Sequence, residues 1–135
     1  MPDAVSPRPL LDKLGVRPGA RVALVGLDGP AFDAFHALLA ERMADVVRGE
    51  PLPETDLVFV EADSPAELEL LPALRARIRP DGAIWVVSRK GRAATLRDVD
   101  VIAAALAAGL VDNKVVAFSD THTALRLAVP RAARR

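Results

Sequence analysis

The segment Arg21-Val-Ala-Leu-Val-Gly-Leu-Asp-Gly-Pro30 decides how the chain is read. Arg21 to Val25 is a short apolar run, preceded by Pro18-Gly19 and closed by Gly26. A run of that length between turn residues reads as a buried strand. Leu27-Asp28-Gly29 forms a loop, and Pro30 suits the first position of a helix, where its missing N–H costs nothing. Phe32, Phe35, Leu39, Met43 and Val46 then recur at spacings of three and four. Such a stripe, with charges opposite, predicts an amphipathic helix facing the core. The unit is therefore strand, glycine loop, helix.

The same grammar continues on both sides. Upstream, Leu10 to Leu14 predicts one helical turn closed by Gly15. Residues 1–9, with Pro2, Pro7 and Pro9, read as a mobile, extended leader. Downstream, Val46 to Arg48 is either a second short strand or the helix end, and Gly49 to Thr55 is a loop. Asp56 to Val60 is apolar enough for a strand covered on both faces. Ser64-Pro-Ala-Glu67 is a capping box with proline at the first helical position, predicting a helix to about Arg79 that is irregular near Pro72. Pro80-Asp-Gly82 predicts a turn and Ala83 to Val87 a third buried strand, followed by the basic loop Ser88-Arg-Lys-Gly-Arg92. Thr95-Leu-Arg-Asp98 is a second capping box, heading a helix that carries Val99, Ile102 and Leu106 and stops at Gly109. Val115 to Phe118 and Thr123 to Val129 read as a strand pair joined by Ser119 to His122.

Strands alternating with helices predict a parallel sheet, right-handed crossovers and helices on both faces. The last connection is too short for a crossover, so the last strand is antiparallel. The expected fold is a three-layer α/β Rossmann-like sheet, mostly parallel with a C-terminal antiparallel hairpin. It occupies one domain over residues 10–130, with a basic tail at 131–135.

Composition narrows the function classes. At 135 residues the chain can bury a core without disulfide or metal staples, and it has no cysteine. Disulfides, thiolate metal sites and cysteine nucleophiles are thereby excluded. Eighteen basic and eighteen acidic side chains cancel, which gives no general drive toward nucleic acid or an anionic membrane. The balance conceals an asymmetry: residues 1–70 hold 13 acids and 6 bases, residues 71–135 hold 5 acids and 12 bases. Opposed halves can attract across the fold or between two copies, so a homo-oligomeric interaction module is one reading; solvated surface is the plainer one. With neither a signal-peptide pattern nor a membrane-length apolar run, the expected location is the cytoplasm. The abundance of alanine and arginine suggests a GC-rich bacterial source.

An open α/β sheet binds ligands outside the carboxyl ends of its strands, where strand order switches. Gly26, Asp28 and Gly29 are expected to line that crevice, beside a helix start whose free N–H groups favour an anion. Glycines serving only a tight turn explain the same residues, and the Asp28 carboxylate opposes an anion. Ser88, Arg89, Lys90 and Arg92 leave the end of a central strand and would overhang the crevice. Arginine and lysine at that spacing can hold a phosphate or carboxylate; a solvated loop is the bland alternative. No histidine pair has metal-ligand spacing. His36 reads as a boundary residue, Trp85 as core. Ser119, Asp120 and His122 are too close along one turn to align as nucleophile, base and orienter. Dinucleotide and P-loop fingerprints are both absent.

Two resemblances add to this reading. Leu10-Leu-Asp-Lys-Leu-Gly-Val-Arg-Pro-Gly-Ala-Arg-Val-Ala-Leu-Val-Gly26 resembles the entry to class I S-adenosylmethionine-dependent methyltransferases: a leucine-rich helix, a Pro-Gly turn and a first strand ending in glycine. The Asp56 to Val60 strand, Pro80-Asp-Gly82, Ala107-Ala-Gly-Leu110 and the final hairpin are similar to the same fold. Lys13-Leu-Gly15, Asp28-Gly29, Arg89-Lys90 and Gly109-Leu-Val-Asp-Asn-Lys-Val115 are also similar to a family of small bacterial proteins carrying a domain of unknown function. Together these resemblances imply a truncated methyltransferase-like topology. The first implies S-adenosylmethionine at Gly26, Asp28 and Gly29, with Glu50 gripping the ribose. The chain departs from that pattern at Val25-Gly-Leu-Asp-Gly-Pro30, which has two glycines where such loops carry three and a leucine at the point of close approach. It is also short between the first helix and Asp56. On balance the residues predict a non-catalytic domain without a cofactor, binding a small anionic ligand or a protein partner at the crevice. A methyltransferase using S-adenosylmethionine is the alternative.

Overall fold

The computed structural model describes residues 9–134. Apart from Pro9, the expected leader lies outside the described residues, as does Arg135 of the tail. Six strands form one sheet in the order β2-β1-β3-β4-β6-β5. They are β1 (Arg21–Val25), β2 (Asp45–Arg48), β3 (Thr55–Glu61), β4 (Ile78–Arg89), β5 (Val111–Ala117) and β6 (His122–Ala128). The first four are mutually parallel; β6 runs antiparallel to β4, and β5 antiparallel to β6. This is the expected Rossmann-like architecture with its C-terminal hairpin.

Side chains alternate across a strand, and here the two faces feed two separate cores. Val22, Leu24, Phe59 and Trp85 meet α1 (Leu10–Leu14) and α2 (Asp33–Glu41) on one face. Ala23, Val58, Ile84 and Val86 meet α3 (Leu71–Arg75) and α4 (Asp98–Ala107) on the other. A sheet apolar on both faces needs both helical layers. The first core is tied by Trp85, whose buried indole N–H donates to the Leu14 carbonyl at 3.1 Å across 71 residues.

Several local expectations give way to tertiary packing. The apolar stripe at 32–46 is broken: Phe32 lies in a 3₁₀ turn, Phe35 and Leu39 are buried on α2, and Met43 is 78% exposed. The helix closes as the Ala44 N–H reaches the Leu39 carbonyl and Met43 takes φ 60°, which is a left-handed C-terminal closure. Val46 consequently belongs to β2, and the ambiguous segment is a strand. Ser64 does not accept a backbone N–H; Pro65–Leu70 is 3₁₀ and the α-helix starts at Leu71. The Thr95 hydroxyl donates to the Asp63 carbonyl instead of capping a helix, so α4 begins at Asp98, with Asp100 accepting the Arg97 N–H at 3.2 Å.

The link from β2 to β3 shows how the chain is shortened. β2 and β3 lie on either side of β1, and a connection between parallel strands normally needs a dozen or more residues. Residues 49–54 suffice because β2 is four residues long: about 13 Å along the strands and about 10 Å across β1 make a span of about 16 Å, within the roughly 20 Å reach of six extended residues.

Pro80-Asp-Gly82 is an irregularity inside β4, not a turn between elements. Register passes from Thr55↔Ile78 to Leu57↔Ala83, so β4 spends three more residues than β3 there. Gly82 makes this possible: a Cβ would stand 2.6 Å from the Asp56 carbonyl oxygen, with the Arg79 and Thr55 carbonyls at 3.2 and 3.3 Å. Because those atoms are backbone, the strand pair must shift to admit it. Gly82→Ala is expected to lower stability by about 1–3 kcal/mol, read as a lower urea midpoint; an unchanged midpoint contradicts this packing.

Candidate functional site

Strand order switches between β1 and β3, since the chain leaves β1 toward β2 and returns on the other side. The crevice there is bridged by a carboxylate. Glu61, the last residue of β3, accepts the Leu27 N–H at 2.9 Å. Gly26 lies directly over it, and a Cβ at Gly26 would meet Glu61 Cβ at 3.1 Å and Oε1 at 3.2 Å. Gly26 has φ 83° and Leu27 φ 60°, and the Leu27 side chain is wholly buried. The loop thus turns its one large side chain into the core and one of its backbone donors onto Glu61.

His36 on α2 holds the loop from its other side. The Arg48 guanidinium, which can only donate, lies 3.0 Å from His36 Nδ1, so Nδ1 is the acceptor. His36 Nε2 therefore carries the hydrogen and donates to the Leu27 carbonyl at 2.8 Å. Arg48 also stands 3.9 Å from Asp28, with both side chains mostly exposed, a pairing worth little by itself.

Beside this bridge a cleft of about 460 Å³ opens toward β4 and β6. Asp28, Gly29, Glu61, Arg89, Lys90 and the 120–122 hairpin line it, with Phe32 and His122 packed together 4.9 Å apart. Three bonds set the basic loop. The Arg89 N–H donates to Asp63 Oδ1 at 2.8 Å, the Lys90 N–H to the Thr121 carbonyl at 3.1 Å, and the Thr95 hydroxyl to the Asp63 carbonyl. The backbone is held while the side chains of Arg89 and Lys90 have no ion pair or hydrogen bond among the described residues. Arg21, Arg42, Arg48, Arg77, Arg79 and Arg97 all have acidic partners.

Of the eight residues singled out in the sequence, the cleft gathers Asp28, Gly29, Arg89 and Lys90. Gly26 sits on Glu61. Ser88 is buried within the sheet at a register position opposite Thr123. Arg92 is exposed on the Gly91–Ala93 turn and does not line the cleft. Glu50 lies in a different, apolar groove of about 570 Å³ with Val25, Leu70 and Leu74, its carboxylate 3.2 Å from Arg77. Glu61 and Asp63 were not placed by the sequence; His36, read as a boundary residue, is half-buried on α2 and also holds the loop. A single charge ending the apolar run of β3 was the visible trace of Glu61. His122 is buried, with Nδ1 2.8 Å from the Thr121 hydroxyl. The Ser119 hydroxyl accepts the His122 and Thr121 N–H groups at 3.1 and 3.3 Å, a turn-forming role.

Comparison with protein-family models and with curated proteins gives no match. Solved structures do match. A SAM dependent methyltransferase from Aquifex aeolicus is 14% identical with TM-score 0.64, covering 87% of this chain and 86% of its own. Magnesium protoporphyrin IX methyltransferase from Synechocystis PCC 6803, a structure with bound SAM, is 13% identical with TM-score 0.64, covering 88% and 74%. Mitomycin 7-O-methyltransferase is 14% identical with TM-score 0.54; the chain covers only 50% of it. At these identities the likeness is one of fold, and the fold is methyltransferase-like.

The residues present do not fit S-adenosylmethionine in the way the resemblance implies. The loop donor at Leu27 is already bonded to Glu61, and the acid expected at the ribose, Glu50, faces Arg77 in another groove. Removing the bridge has a measurable cost. Glu61→Ala leaves the Leu27 N–H without its acceptor and is expected to cost about 1–3 kcal/mol. Glu61→Gln retains a side-chain oxygen acceptor and is expected to lose less. Equal urea midpoints for wild type and Glu61→Ala contradict the bridge.

Proposed function

We propose that this chain is a non-catalytic binding domain that uses the methyltransferase-like scaffold to hold a small anionic ligand in the cleft beside the Glu61 bridge. The observation that carries this reading is the pair Arg89 and Lys90: two cations on a braced backbone, lining a concave site, without partners among the described residues. A bidentate guanidinium with an adjacent ammonium suits a phosphate or carboxylate group. Asp28 and Asp120, which also line the cleft, disfavour a highly charged anion and suit a ligand that also carries a donor or a positive group.

A second reading, a methyltransferase using S-adenosylmethionine, draws on the shared fold with a structure that binds SAM. The closed loop weighs against it.

Phosphoethanolamine, one phosphate group joined to an ammonium, is a probe for the first reading, with backbone amide resonances of residues 26–29 and 89–92 as the readout. Saturable shifts are expected, weaker at high salt because the contact is electrostatic. Arg89→Ala/Lys90→Ala is expected to abolish them while changing stability by no more than about 0.5 kcal/mol, as for other surface changes. Identical shifts in the double variant would remove this loop from the site.

A further inference from the structure

A second group of cations lies on the α1 face, about 13 Å along the strands from Arg89, four residues down β4. There Trp85, Arg126 and Lys114 are register partners in one row across β4, β6 and β5. Like charges directly opposite on neighbouring strands repel, and neither cation has an ion pair with an acid among the described residues. Among the described residues Arg126 has no ion pair or hydrogen bond from its side chain. The Lys114 ammonium donates to the Lys13 carbonyl at 2.8 Å, which leaves its charge unpaired.

Nearby acids are engaged elsewhere. Asp12 is bonded to Arg42 at 2.9 Å, and Asp56 and Asp81 lie 3.6 and 3.4 Å from the Arg79 Nε. Burial, followed by the charge of Arg134, holds the Arg126 guanidinium below its ordinary value, as expected for a cation lacking an anionic neighbour. The row also has a shape. Register slips between Asp112 and Lys114, leaving Asn113 as the extra residue, and such bulges re-aim side chains. Asn113, Lys114, Arg126, Lys13 and the Trp85 edge line one concavity of about 320 Å³ beneath the end of α1. Asp12 lines it too, with its carboxylate held by Arg42 at 2.9 Å. Two segments that the binding cleft does not use, Lys13-Leu-Gly15 and Asp112-Asn-Lys-Val115, converge on it.

We infer that this concavity is a second binding site, taking the phosphate or carboxylate group of a small ligand between Lys114 and Arg126, with the Asn113 amide as a further donor. It is independent of Arg89 and Lys90. An oxyanion there would offset the repulsion between the two cations and meet two of the strongest donor types a protein has.

The test uses the Arg89→Ala/Lys90→Ala background, so that the first cleft contributes nothing. The protein has one tryptophan, whose indole N–H gives a single resonance in the site; the amides of Asn113 and Lys114 give two more. Inorganic phosphate and acetate are titrated at ionic strength matched with chloride. Saturable shifts with phosphate alone assign a phosphate group; comparable shifts with acetate assign a carboxylate. Adding Lys114→Gln, an exposed position, should weaken either response at least tenfold. Lys114→Glu, which sets a carboxylate opposite Arg126, should raise the melting temperature in chloride buffer and abolish the response. Shifts no larger than those with chloride, or an unaltered titration in Lys114→Gln, would overturn the site. Failure here leaves the Arg89 and Lys90 cleft untouched, because that cleft is absent from the background used.

Discussion

The bond from the Leu27 N–H to the Glu61 carboxylate, 2.9 Å long, sets the character of this molecule's carboxyl end. It joins the loop after β1 to the end of β3 at the place where strand order switches. In an open α/β sheet that place is where a ligand is expected, because loops diverge there and leave backbone donors exposed. Here the chain supplies its own carboxylate. The loop that precedes α2 is closed by a side chain, and two cations without ion pairs among the described residues, Arg89 and Lys90, lie one strand further along.

This arrangement depends on the rest of the fold in a simple way. Glu61 can reach Leu27 because β1 and β3 are direct neighbours, and they are neighbours because β2 lies outside β1. His36 can hold the other side of the loop because Phe32, Phe35 and Leu39 anchor α2 against the sheet. The aromatic contacts are continuous: Phe35 packs on Phe59 at 5.1 Å and on Phe118 at 4.8 Å. The loop is therefore set by core packing as well as by hydrogen bonds. The six-residue return from β2 carries no helix, and the apolar groove holding Glu50 and Leu70 lies beside it. Glu50, the acid that the resemblance puts in the crevice, lies in that groove instead.

Much of this was legible in the residues. The strands at 21–25, 56–60 and 83–87 are short apolar runs between turn residues, and being buried on both faces is what makes them conspicuous. The antiparallel ending followed from the brevity of the 119–122 link. Where reading failed, a side chain had found a distant partner. Thr95 resembles a cap but donates to Asp63 across 32 residues. Met43 fits the helical stripe, yet the chain had to turn there to bring Asp45 beside Arg21. The site divides on the same line. Arg89 and Lys90 are visible because they follow a central strand. Glu61 is not, because nothing local says which loop a strand-end acid will meet.

Calorimetric titration of the wild-type protein with S-adenosylmethionine and S-adenosylhomocysteine tests the central claim, that this fold's loop is closed to that cofactor. With Glu61 on the Leu27 donor and Glu50 turned to Arg77, the account predicts no binding heat at millimolar ligand. Micromolar binding of either compound would contradict it and restore the methyltransferase reading.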